Sequence, residues 1–111
     1  MPERAVDLSR VFQALADPTR RAVVTRLCAG PAAVSELARP FAMALPSFAQ
    51  HLDVLERAGL VRSRKRGRVR TYALAPRRLQ VAERWMQRQR AQWETRLDQL
   101  DAFLLATKED P

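Results

Sequence analysis

A single cysteine, a single histidine and three glycines are all that the 111 residues contain of those types. With Cys28 alone, an internal disulfide is excluded, and so is a zinc site of the multi-cysteine kind. So few glycines leave no phosphate-cradling loop. No serine–histidine–acid arrangement or paired-carboxylate site can be placed, so no enzyme is expected. No apolar run approaches the roughly 20 residues that a membrane-spanning helix needs. Glu3, Arg4 and Asp7 occupy the place where a signal peptide would need apolar residues. The expected location is cytoplasmic, with no membrane partner.

Acid is the other shortage. The chain carries 20 Lys and Arg against 12 Asp and Glu, a formal net charge of +8. Residues 1–60 hold seven basic against six acidic residues; residues 61–111 hold thirteen against six. A basic surplus confined to one half favours nucleic acid or an anionic surface as partner. With 47% of residues apolar, one folded domain with one core is expected over 1–111.

Leu8, Val11, Phe12 and Leu15 have the spacing of an amphipathic helix over about 6–16. Asp17-Pro18 restarts the chain as N-cap and first helical residue. A second helix follows to about Ala29, with Ala22, Val23, Leu27 and Val24 inward. A third covers about Val34 to Arg39. A fourth runs from Leu45 or Pro46 to Arg57, with Phe48, Leu52 and Leu55 as its buried stripe. Ala58-Gly59 ends it. Strands are expected near Leu60–Arg64 and Val69–Leu74, and a long last helix over about 77–106. The fold class is therefore mainly α with a small β-hairpin.

The third and fourth helices, about 34–58, fit a helix-turn-helix, whose second helix offers its N-terminal residues to base edges in the major groove. Ser47, Gln50, His51 and Val54 lie on or near the outward face. Gln can bond adenine bidentately and Ser can bond either base type. An ordinary helical hairpin with solvated polar residues shares this pattern. The hairpin at about 60–74 separates the two readings. Six of the nine residues from Arg62 to Arg70 are basic, among them Arg64, Lys65, Arg66, Arg68 and Arg70, around a single Gly67. Nothing within a fold could neutralise that charge, so it needs solvent or a polyanion.

The runs Leu15-Ala16-Asp17-Pro18-Thr19-Arg20-Arg21, Val34-Ser35-Glu36-Leu37-Ala38 and Gln50-His51-Leu52-Asp53-Val54-Leu55-Glu56-Arg57-Ala58-Gly59-Leu60-Val61 closely resemble the ArsR-type winged-helix repressors. Arg64-Lys65-Arg66-Gly67-Arg68-Val69-Arg70-Thr71-Tyr72 resembles that family's wing. The resemblance covers about residues 8–75. It implies a homodimeric repressor on an inverted-repeat operator in double-stranded DNA, acting on its own and a neighbouring gene. Two positions depart from the pattern. Ala44 stands near the start of the recognition helix, where a serine is common, and Asp53 stands where lysine is common. Metal sensors of the family carry a cysteine pair in the third helix or His/Asp/Glu sets in the last. Neither is present here, so the metal-independent branch and no cofactor are expected. Cys28 has no neighbouring base or resolving cysteine in sequence and reads as a neutral cysteine.

Leu79, Ala82, Trp85, Met86, Trp93, Leu97, Leu100 and Leu104 recur at three- and four-residue steps along the last helix. At 1.5 Å per residue it reaches about 45 Å, more than so small a domain can cover. Leu79 to Met86 can fold back onto the core. Trp93, Leu97, Leu100 and Leu104, with Val11 and Leu15 of the first helix, are expected at an interface with a second copy. A ligand cavity lined by Trp85, Met86 and Trp93 is a further reading. Against the repressor stands one reading of another class, a winged helix that docks an acidic protein through its basic wing.

Overall fold

The structure is a computed structural model that describes residues 3–109, with side chains from Leu8 to Lys108. The outermost positions of the expected 1–111 domain, and Val6 and Asp7 as side chains of the first helix, lie outside the described residues. The elements are α1 (Glu3–Leu15), α2 (Pro18–Leu27), β1 (Ala32–Ala33), α3 (Val34–Ala38), α4 (Leu45–Arg57), β2 (Val61–Arg66), β3 (Val69–Leu74) and α5 (Pro76–Glu109). The fold is a winged helix with a long C-terminal helix.

Local chemistry sets the breaks. Asp17 is extended (φ −103°, ψ 133°), and its Oδ2 accepts the Arg20 N–H at 3.1 Å, capping α2. Pro18 follows at a position that needs no N–H. At the end of α4, the Gly59 N–H donates to the Glu56 carbonyl and the Leu60 N–H to the Leu55 carbonyl, 3.0 Å each. Gly59 takes φ +77°, so this is a Schellman stop. It turns the chain directly into β2.

The sheet is antiparallel, in the order β1-β3-β2. Arg66 pairs with Val69, which leaves Gly67 and Arg68 as a two-residue loop. Gly67 has φ +64° and Arg68 does not have positive φ. That sign pattern is the one a type II′ turn needs, and it matches the twist of the strands. β2 therefore runs two residues further than the expected Arg64, to Arg66. β1 has no counterpart among the expected elements. Its two alanines pair with Tyr72 and Thr71, some forty residues on.

The core joins α1, α2, α3, α4 and the sheet. Val11, Val23, Phe48, Leu52, Leu55, Leu60 and Val61 are its largest fully buried side chains. Val11, expected at a dimer interface, is 1% exposed within the single chain, so it has no surface left for a partner. Ala14 takes an inward place beside it, and Phe12 stays partly exposed against Trp85, ring centroids 5.6 Å apart. Ala22, expected inward, is exposed; the buried positions of α2 are Val23 and Leu27.

One guanidinium binds three helices. Arg20 Nε donates to the Ala14 carbonyl at 2.6 Å and its terminal nitrogen to the Gln13 carbonyl at 3.1 Å. These are last-turn carbonyls of α1, which lack partners within their own helix. A second terminal nitrogen lies 3.1 Å from His51 Nδ1 on α4. Arg21 adds a 2.8 Å bond to the Leu15 carbonyl.

Asp17 is held below its ordinary carboxyl value of 3.8, first by the backbone N–H of Arg20 and then by the charges of His51 and Arg20. A depressed folded value means that the ionised carboxylate stabilises the fold above pH 3.8 and that this is lost as pH falls through the lower, folded value. Asp17→Ala should therefore melt at lower temperature than the parent at pH 7. The gap should narrow as pH drops below about 4, measured by circular-dichroism melts across that range.

Candidate nucleic-acid interface

Phe48, Leu52 and Leu55 anchor α4 by one face, so the other face is fixed in space. Ser47 and Gln50, three residues apart, are both exposed near its N-terminal end. Val54, four residues past Gln50, extends the exposed strip. His51 sits apart from this pair. Its side chain is half-buried, and Nδ1 faces Arg20 at 3.1 Å and Asp17 at 3.8 Å. Arginine can only donate, so Nδ1 is placed to accept from Arg20. The structure thus gives His51 a packing role that joins α4 to α2, beside any contact its ring edge makes outward.

The wing is a cationic finger. Arg64, Lys65, Arg66 and Arg68 are exposed and make no ion pair or hydrogen bond among the described residues. Arg70 differs, since it donates to Ser63 Oγ at 2.8 Å. Ser63 in turn donates to Glu56 Oε2 from Oγ at 2.8 Å and from its backbone N–H at 3.2 Å. The chain Arg70–Ser63–Glu56 fastens the wing to the end of α4. Sequence reasoning missed this link, because Glu56 reads as an ordinary surface acid. Beneath it, burial pushes the Tyr72 phenol above 10, and the nearby Glu56 charge adds to the shift.

The two unusual positions have plain consequences. Ala44 is the N-cap of α4 and makes no side-chain cap bond. Ala33 likewise caps α3 without a side-chain acceptor, so only half of a capping box forms, with the Ala33 N–H donating to Glu36 Oε1 at 3.4 Å. Asp53 pairs with Arg57 Nε at 3.0 Å, one turn along the same helix, which offsets its charge on the outer surface.

Residues 15–64, which hold α2, both helices of the unit and most of β2, match a family model described as a helix-turn-helix domain. A 79-residue stretch is 32% identical to the transcriptional repressor SdpR of Bacillus subtilis, covering 71% of this chain and 88% of that one. Over 67 residues the chain is 54% identical to the HTH-type transcriptional regulator Rv2034 of Mycobacterium tuberculosis. That match takes in 60% of this chain and 63% of Rv2034, a little under two thirds of its length. A crystal structure of an ArsR family transcriptional regulator, RHA00566, superposes with a TM-score of 0.75 at 52% identity, covering 85% of this chain and 94% of that one.

The chain belongs to the ArsR family of transcriptional regulators.

A second family structure, an ArsR-like regulator from Rhodococcus sp. RHA1, gives a TM-score of 0.74 at 32% identity over 89% of this chain and 93% of that one. ArsR regulators bind DNA, and α3–α4 lies within the matched helix-turn-helix domain. Among the described residues no helix is long and apolar enough to cross a membrane, and no three His, Cys, Asp or Glu side chains converge. Cys28 is exposed just past the end of α2.

The missing cap at Ala44 can be restored. Ala44→Ser should supply the oxygen that accepts an orphan N–H of α4, worth about 1 kcal/mol, and place a hydroxyl beside the phosphates. Thermal melts should rise by a few degrees and operator affinity should increase. A variant no more stable than the parent would show that the helix start is satisfied without a cap.

Proposed function

We propose that this ArsR-family chain is a cytoplasmic homodimeric repressor that reads an inverted-repeat operator and controls its own and a neighbouring gene. α4 reads bases through Ser47 and Gln50, with His51 at the edge of that surface. The wing holds phosphates through Arg64, Lys65, Arg66, Arg68 and Arg70. The observation that carries this reading is the coupling of the two parts. Exposed base-reading side chains and a finger of unpaired cations stand on one frame, joined by the Glu56–Ser63 bonds.

The dimer rests on α5. Trp93, Leu97, Leu100 and Leu104 are 69%, 57%, 50% and 54% exposed in the single chain. Helical steps of four, three and four align them in one stripe, and such a stripe is stable in water only when something covers it. A second copy does so with two-fold symmetry, which an inverted-repeat operator mirrors. Leu15, half-buried at the end of α1, and the exposed part of Phe12 are the α1 surfaces left for that contact.

Leu97→Arg should turn a dimer in sedimentation into a monomer, because it sets like charges against each other across the axis. A parent that sediments as a monomer at tens of micromolar would remove the dimer. On an operator selected from a pool of random duplexes, Gln50→Ala should cost roughly 1–3 kcal/mol, with little change on unrelated DNA. Arg68→Ala should weaken both alike and lower the slope of log affinity against log salt by about 0.9 for each phosphate released. Weak, salt-labile binding with no preferred duplex would favour instead a module that docks an acidic protein through the wing.

A further inference from the structure

The two flanks of α4 differ. Glu56 and Ala58 are two positions apart, so they point about 200° apart around the helix. Glu56 faces the wing, through its bonds to Ser63. Val54 and Ala58, four residues apart on one stripe, face α1 instead. Together with Arg57 they line an open hollow of about 350 Å³ against Arg10, Gln13 and Ala14 of α1. The wing therefore stands on one side of α4 and α1 on the other.

The hollow opens onto the surface that α4 exposes. Gln50, Val54 and Arg57 follow one another at steps of four and three residues, and all three are exposed. Arg10 is exposed beside them. Of the two cations of the hollow, Arg57 is paired with Asp53 at 3.0 Å. Arg10 makes no ion pair or hydrogen bond among the described residues. α1 also leads to α5. Phe12, two positions past Arg10 and so on the opposite side of α1, meets Trp85 edge-on with ring centroids 5.6 Å apart. α1 thus lies between α4 and the helix proposed to pair two copies.

We infer that Arg10 holds a phosphate at the centre of the operator, between the two half-sites. The inference rests on the operator reading and the α5 pairing proposed above. In that dimer the two-fold axis passes through the α5 pair. On each copy α1 then lies on the inner side of α4 and the wing on the outer side. A duplex seated on both α4 helices meets the two wings toward its ends and the two α1 helices where it crosses the axis. An arginine with no acid against it, at the inner edge of that surface, is matched by a backbone phosphate. Such a contact carries no base information, but it fixes the register of the two copies on the duplex.

The test uses the full chain and an operator selected from random duplexes, made in three forms. One is unmodified, one has neutral methylphosphonate linkages at its centre, and one has the same linkages near both ends. Central neutral linkages should weaken the parent about tenfold at about 0.1 M salt, and lower its salt slope by about 0.9 for each phosphate lost. Arg10→Gln should show that loss already on the unmodified operator and lose nothing more on the central form. On the end form it should lose as much as the parent does. Its melting temperature and sedimentation should match the parent's, since the side chain has no partner within the chain to give up. A parent indifferent to the central linkages, while still specific for the operator, overturns this inference alone. So does an Arg10→Gln variant that binds the unmodified operator like the parent or stays sensitive to the central linkages. A variant that sediments as a monomer also overturns it, and assigns Arg10 to pairing. Failure of the parent to prefer the operator over random duplex would remove the operator reading, and this inference with it.

Discussion

Arg20 holds the helical frame together. Its fork satisfies two last-turn carbonyls of α1, at Gln13 and Ala14, and still reaches His51 on α4. A lysine is a compact point charge and could not span those three acceptors with fixed geometry. The position of Arg20 is itself fixed by Asp17, which caps α2 through the Arg20 N–H. The Ala16-Asp17-Pro18-Thr19-Arg20-Arg21 run thus does several jobs at one corner. It stops α1, starts α2 and sets the seat of α4. Because α1 also packs along α5, the same corner relates the surface proposed to read DNA to the helix proposed to pair two copies.

Apolar and polar groups are sharply divided between two tasks. The core is built of apolar side chains with no buried charge, and among the described residues no buried side-chain nitrogen or oxygen lacks a partner. Apolar packing fills the frame that Arg20 ties together, and nearly all of the charge is left on the outside. Cations on the wing are not consumed by acids. Glu56 goes to Ser63, Asp53 to Arg57 and Glu36 to Arg26 at 3.6 Å. A surface in which acids neutralise only their near neighbours leaves a field of one sign over the hairpin, which steers a polyanion toward it and weakens with salt.

Much of this is legible in the sequence because the signals are local. Asp17-Pro18, Ala58-Gly59 and the glycine of the hairpin each determine a cap or a turn within a few residues, and all three stand where expected. The apolar spacing of α4 points to Phe48, Leu52 and Leu55, and these are its buried residues. What escapes is non-local. β1 is two alanines, too short to show a period, and exists only because Tyr72 and Thr71 come alongside. The Arg20–His51 contact joins residues 31 apart in sequence. Val11 falls to the wrong side of the division because an amphipathic stripe does not say whether its cover is the same chain or another. Only the packed structure shows that Val11 is spent inside and that Trp93 is not.

The length of α5 makes that distinction physical. Its 34 residues rise about 51 Å, and the molecule extends 77 Å along its longest axis. The first turns are held by Ala82 in the core and Trp85 against Phe12. Beyond Met86 nearly all described side chains are exposed, and the hydrogen bonds and ion pair found there lie within the helix. Its apolar stripe calls for a cover that runs along the helix over about three turns. A second copy related by a two-fold axis has the required length, shape and apolar pattern by construction. In the proposed dimer the same axis sets two α4 helices and two wings at a fixed separation, so the stripe on α5 would set which spacing of half-sites the pair spans.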